Sequence, residues 1–150
     1  MDNIKFKHIT PIQLRFNDFD ALGHVNNSVY FSFYDLGKTS YFNDVLPDVN
    51  VSKEVGVVIA NIQVSFLLPV YPGENVAVET AVVEIGNKSL KLLQQLIDLD
   101  TNEVKCICHT VMVCFDAKTK TSCHISDTWR KAMAEFENNP ELANFKVSLN

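Results

Sequence analysis

The chain has 150 residues, 47% hydrophobic and 21% charged, with 13 Lys+Arg against 18 Asp+Glu and a formal net charge of −5. That length suits a single domain, residues 1–150, with a core large enough to fold without disulfides. The acidic balance favours solubility, and the absence of a basic stripe excludes a nucleic-acid partner held by the usual electrostatic footprint.

The opening MDNIKFKHIT contains no apolar signal-peptide core. The longest greasy stretch, Val55 to Gly73, is interrupted by Asn61, Gln63, Ser65 and Pro69, so it reads as strand rather than as a membrane span. A cytoplasmic protein with reduced cysteines and no membrane partner is expected. HITPIQLRF, starting at His8, alternates and predicts a first strand, which Pro11 places at a sheet edge. NDFDALGHVN, starting at Asn17, is a loop.

From Asn27 to about Phe42 the pattern is helical. Ser28, Ser32, Asp35 and Thr39 form one narrow polar stripe, and the rest is mostly apolar (Val29, Tyr30, Phe31, Phe33, Tyr34, Leu36, Tyr41, Phe42), which predicts a buried helix. Gly37 in its middle costs about 1 kcal/mol against Ala, so it marks a close backbone approach. NDVLPDVN, from Asn43, reads as a loop.

Four β-type segments follow: Val55 to Val70, Glu74 to Ile85, Ser89 to Leu99 and Val104 to Asp116. In the second, Val76, Val78, Thr80 and Val82 share one face. GNKS, from Gly86, is a hairpin turn, and the turn signals on both sides of SLKLLQQLIDL favour strand over helix there. SDTWRKAMAEFEN closes the pattern as a helix with Ser126 as N-cap. The simplest way to bury these elements is an α+β arrangement, with a curved antiparallel sheet wrapped round the long central helix and a C-terminal helix added.

The cysteines are Cys106, Cys108, Cys114 and Cys123, with His109 and His124 nearby. Strand alternation puts Cys106, Cys108 and Cys114 on one face and His109 on the other. Cys108 and Cys114 then stand roughly 20 Å apart at ~3.3 Å per residue, too far to share a metal. Structural, apolar cysteines and no metal site are expected.

RFNDFDALGHVNNSVY, from Arg15, resembles the signature of hotdog-fold acyl-CoA thioesterases of the 4-hydroxybenzoyl-CoA thioesterase type. The resemblance continues through ANIQVSFLLPVYPGENVAVET and the Gly-x-x-Ser hairpin of VVEIGNKSLKLLQQL, and covers roughly residues 8–116. Where the family carries Glu and Arg in the helix, this chain has Asp35 and Lys38. The resemblance implies a hotdog fold, an acyl thioester substrate, no metal or redox cofactor, and a homodimer or homotetramer whose sites are built from two chains.

Thioester hydrolysis needs a polarised carbonyl and an attacking carboxylate or water. Asp20 matches the family's catalytic carboxylate and acts either as nucleophile or as general base; the other reading is a loop-capping Asp. The Asn27 N–H, helped by Gly23, is the candidate oxyanion donor, because a helix entrance leaves N–H groups unpaired. His24 is either a catalytic group or a packed loop residue. Asp18 reads as structural, bonding loop backbone or Arg15, and Arg15 as the ion partner of a nearby acid. Tyr30 reads as core and as the aromatic nearest an acyl chain. Asn61 interrupts an apolar strand, so it needs a partner or faces a cleft. Ser89, by resemblance, lies near the active site, and Lys88 and Lys91 are candidates for the phosphates of coenzyme A. Three rivals stay open on this fold: an acyl-carrier-protein thioesterase, a non-catalytic acyl-thioester-binding protein, and a dehydratase using His24 with Asp35.

Overall fold

The computed structural model describes residues 4–47 and 55–144. Six strands form one antiparallel sheet: β1 (His8–Pro11), β2 (Val55–Phe66), β3 (Val76–Ile85), β4 (Ser89–Asp98), β5 (Val104–Asp116) and β6 (Thr121–Ser122). The order across the sheet is β1-β3-β4-β5-β2, with β6 beside the end of β5. Helix α1 (Val29–Val45) crosses one face, and α2 (Asp127–Phe136) packs near its far end. This is the α+β arrangement expected from the pattern, an antiparallel sheet with a long helix against one face, and it agrees with the hotdog fold that the resemblance implies.

The alternation of β3, β4 and β5 explains how α1 is covered. Val76, Val78, Leu96, Cys106 and Cys108 meet Tyr30, Phe33 and Tyr34 from the first half of the helix. Val82, Leu90, Leu92, Met112 and Cys114 meet Tyr41 and Phe42 from the second half, together with Met133 and Ala134 of α2. Each large apolar side chain removed from water contributes about 1.5–3 kcal/mol, so the two clusters fix the helix axis against the sheet. Gly37 stands where the two come closest. A Cβ there would lie 2.6 Å from Val78 Cγ1 and 2.9 Å from Gln94 Nε2. Gln94 is itself held, donating from Nε2 to the Tyr34 carbonyl at 3.1 Å and to Thr80 Oγ1 at 3.0 Å.

Several boundaries differ from the pattern. The helix starts two residues later than Asn27, because Asn26 caps the preceding turn, and it runs on through Asn43 to Val45, where a loop was expected. Residues 48–50 of that expected loop lie outside the described residues. Phe31 and Leu36 face outward beside Ser28, Ser32, Asp35 and Thr39, so the exposed face is broader than the polar stripe. Lys38 is only 4% exposed, 3.8 Å from Asp35, and burial lowers its ammonium pKa. The first strand stops at Pro11 and sits on the β1 edge, as its proline requires. β2 stops at Phe66, since the N–H groups of Leu67 and Leu68 both donate to the Lys105 carbonyl and break the ladder. Ser126 caps α2, its Oγ accepting from Trp129 N–H at 3.2 Å.

β2 forms the other edge of the sheet. Val58, Ile59 and Phe66 on it, and Leu67 and Leu68 just beyond, are all exposed. A 12-residue edge strand with so little charge is a template for further strand pairing.

Candidate active site

The signature loop is a tight hairpin leading into α1. Phe19 and Val25 form an antiparallel bridge, Asp20 N–H donates to the His24 carbonyl at 3.1 Å, and Asn26 N–H donates to the Asp18 carbonyl at 2.9 Å. Gly23 closes the turn at φ +81, a left-handed conformation that suits glycine, and its N–H donates to the Asp20 carbonyl at 3.0 Å. Val25 N–H donates to the Val70 carbonyl at 2.9 Å and ties the hairpin to the segment after β2. That segment is pinned from inside by a buried ion pair, Lys105 Nζ to Glu74 Oε2 at 2.7 Å, with Lys105 Nζ also donating to the Pro69 carbonyl at 3.3 Å.

Asp18 has the structural role expected of it, Oδ2 accepting from the backbone N–H of Arg15 at 2.7 Å. Asp20 is half-buried. Its Oδ1 accepts from Leu22 N–H at 2.9 Å, and Oδ2 has no partner among the described residues. One oxygen therefore fixes the carboxylate and the other is not engaged by the described residues. Asp20 lines an open groove of about 820 Å³ with Leu14, Arg15, Phe16, Phe19 and Pro72. Phe16 and Leu22, at 94% and 79% exposure, stand uncovered beside it.

Asn26 Oδ1 accepts from both Ser28 N–H and Ser28 Oγ–H at 3.0 Å, and Val29 N–H donates to the Asn26 carbonyl at 2.9 Å. This leaves the Asn27 N–H without a partner among the described residues. His24 is half-buried, and its Nδ1 lies 3.4 Å from the Val25 carbonyl, a contact that holds the ring against its own loop. Tyr30 is buried, edge-on to Phe66 with centroids 5.1 Å apart, and burial pushes its hydroxyl up to about 12. It is part of the wall beneath the hairpin.

The remaining expected substrate contacts lie elsewhere in the chain. Ser89 faces Val113 on β5, whereas the hairpin sits by Phe66, which faces Cys106. Seven residues of strand separate those two levels, roughly 23 Å at ~3.3 Å per residue. Lys88 is on the same distant turn, exposed, its carbonyl accepting from Cys114 N–H at 2.7 Å. Asn61 opens a separate groove of about 450 Å³ on the sheet face away from α1, with Gln63, Glu84, Lys91 and His109. A single chain does not bring Asn61, Lys88 or Ser89 to Asp20.

Among the described residues, no three His, Cys, Asp or Glu side chains cluster as a metal site, and no helix is long and apolar enough to cross a membrane. One feature the sequence pattern missed is the close contact of Cys114 with Cys123. Its signal was the short turn after Asp116, which folds β6 back along β5.

Residues 14–138 match the family model of the thioesterase-like superfamily. The fold is similar to that of a thioesterase from Thermus thermophilus crystallised with coenzyme A and zinc, at 27% identity and TM-score 0.79, covering 90% of this chain and 97% of that one. It is also similar to a predicted thioesterase from Bacillus stearothermophilus, at 26% identity and TM-score 0.76, covering 86% and 95%. A 1,4-dihydroxy-2-naphthoyl-CoA thioesterase from Synechocystis shares the fold at 12% identity and TM-score 0.75, covering 85% and 96%. An uncharacterised protein of Bacillus subtilis, YsmA, is 29% identical over 87 residues, a match that spans 58% of each chain. The hairpin leading into a buried helix, the sheet order and the match over residues 14–138 agree: the chain belongs to the thioesterase-like superfamily of hotdog-fold thioester hydrolases.

Proposed function

We propose that the protein hydrolyses an acyl-CoA to the free acid and coenzyme A, with Asp20 as the attacking carboxylate or general base. The observation that carries this is the pairing on one hairpin of a carboxylate with a free oxygen, Asp20 Oδ2, and an unpaired helix-entrance donor, Asn27 N–H. The thioester oxygen accepts from Asn27 N–H as it gains charge, with the helix dipole behind it. Gly23 N–H is already committed to the Asp20 carbonyl, so Gly23 shapes the turn and is not a second donor. His24 keeps a positioning role. The coenzyme A bound by the Thermus thermophilus relative supports the choice of thiol.

Two copies complete the site. Antiparallel pairing of β2 with its counterpart about a two-fold axis sets the Phe66 end of one strand beside the Val55 end of the other. It also covers the exposed Val58 and Ile59. The partner's Lys88–Ser89 turn then approaches the Asp20 groove, where Lys88 meets the phosphates of coenzyme A. A homodimer, alone or doubled into a tetramer, is therefore the functional unit.

The test is release of free thiol from a panel of short, long and aromatic acyl-CoA esters. Turnover on at least one ester is expected. Binding without turnover on every CoA ester and every acyl-carrier-protein ester would contradict the hydrolase reading.

A further inference from the structure

Phe115 of β5 pairs with Ser122 of β6, so Cys114 and Cys123 occupy the next facing positions. Cys123 N–H donates to the Cys114 carbonyl at 2.9 Å, and the two sulfurs are 3.0 Å apart. Facing residues in an antiparallel pair have Cα atoms about 4.5–5.5 Å apart, within the roughly 4.4–6.8 Å that a disulfide spans. Both are free thiols. Cys114 is buried, while Cys123 is half-exposed in a groove of about 400 Å³ that both cysteines line with Pro47, Val55, His124 and Trp129. Cys106 and Cys108 differ. Both are fully buried and two residues apart on one strand face, about 7 Å, which no disulfide bridges without moving the backbone.

The pair is wired to the turn that carries Lys88 and Ser89. Cys114 N–H donates to the Lys88 carbonyl at 2.7 Å, and Ile125 N–H donates to the Asn87 carbonyl at 2.9 Å. His124 Nδ1 is hydrogen-bonded to Asn87 Oδ1. A covalent link between the sulfurs would fix the strand of Cys123 to β5, and both contacts to Asn87 extend from that strand.

We propose that Cys114 and Cys123 are a dithiol–disulfide site that reacts with small disulfides from the Trp129 groove, and that its state positions the Gly86–Ser89 turn. The Cys123 thiolate attacks one sulfur of the small disulfide, and one thiol leaves with a proton. Cys114, deprotonated, attacks Cys123 Sγ and releases the second thiol. Two protein thiols become one disulfide, and one small disulfide becomes two thiols. Cys123, the half-exposed thiol, opens the reaction, and Cys114, buried and with its thiol pushed up to about 12 by burial and by Cys123, closes it. The consequence for substrate, though not the chemistry of the pair, rests on the proposed placing of Lys88 against coenzyme A.

The test exposes the reduced native protein to oxidised glutathione, removes the excess, and maps its cysteines by mass spectrometry. A Cys114–Cys123 link is expected, with Cys106 and Cys108 still thiols. Cys114→Ala should stop at a glutathione adduct on Cys123, and Cys123→Ala should take none. Should Cys114→Ala not fold, Cys123→Ala at the half-exposed position carries the control. Amide hydrogen exchange at Asn87–Ser89 should change on oxidation and return with dithiothreitol, while KM for an acyl-CoA rises several-fold and Cys123→Ala shows neither effect. An unmodified Cys123, a persistent adduct in the wild type, or a link to another cysteine would overturn the site. Unchanged exchange at the turn would overturn the coupling. The map and the exchange need no turnover, so they fail or stand apart from the hydrolase reading.

Discussion

The Asp20 carboxylate has the loop-capping role its sequence position allows, and the reacting role is the proposal. Oδ1 caps the turn through Leu22 N–H, Oδ2 has no partner among the described residues, and the residue lines the groove. Asn26 does the corresponding work for the helix entrance, since its Oδ1 holds Ser28 and so frees Asn27. Asn26→Ala should cost about 1 kcal/mol of stability, the usual worth of a lost cap. It should also lower kcat more than KM, because the Asn27 N–H loses its aim; urea unfolding and steady-state kinetics read the two effects. The signature made these loop residues legible, because spacing fixes local hydrogen bonds. It did not show that Gly23 N–H is spent on the Asp20 carbonyl, which depends on how the turn closes. Nor did it show that Lys38 is buried, because a charged residue in a helix pattern reads as solvent-facing until the packing is known.

At the level of elements, α1 and the sheet set the tolerance for change. Gly37→Ala gains up to about 1 kcal/mol of helix propensity but pushes a methyl to 2.6 Å from Val78 Cγ1. Overpacking of that kind costs about 1–3 kcal/mol, so a lower urea midpoint is expected. The close approach was readable from one glycine in a greasy helix, and the strand pairing from alternation and turns. The ends were not readable, because the extension of α1 through Val45 is decided by Val45 and Leu46 packing with α2.

The end of α2 also sets a pH dependence. Burial raises the Glu137 carboxyl from 4.5 to about 7, while its bond to Tyr41 Oη (3.4 Å) opposes the shift. The folded state then holds a proton that the unfolded chain releases, so stability falls as pH rises from 4.5 towards 7. Chemical denaturation across that window should show this slope, and Glu137→Gln should flatten it.

For the whole molecule, the separation of Asp20 from Lys88 and Ser89 is the central structural fact: within one chain these candidates do not meet, and only the resemblance, not the residue pattern, pointed to a second chain. The proposal needs a second copy to bring them together. Ile59, 45% exposed on the β2 edge, tests this. Ile59→Lys places a charge on the pairing edge and should give a folded monomer by light scattering and circular dichroism, with little thiol release. An active monomer would show that one chain suffices.

The most direct measurement is kcat for Asp20→Asn on the best acyl-CoA ester, beside the wild type. Asparagine preserves the Leu22 contact, so the fold and KM should hold while kcat falls about 10²–10⁴-fold, the usual contribution of a positioned acid–base group. A variant that hydrolyses the ester as fast as the wild type would contradict Asp20 as the reacting carboxylate.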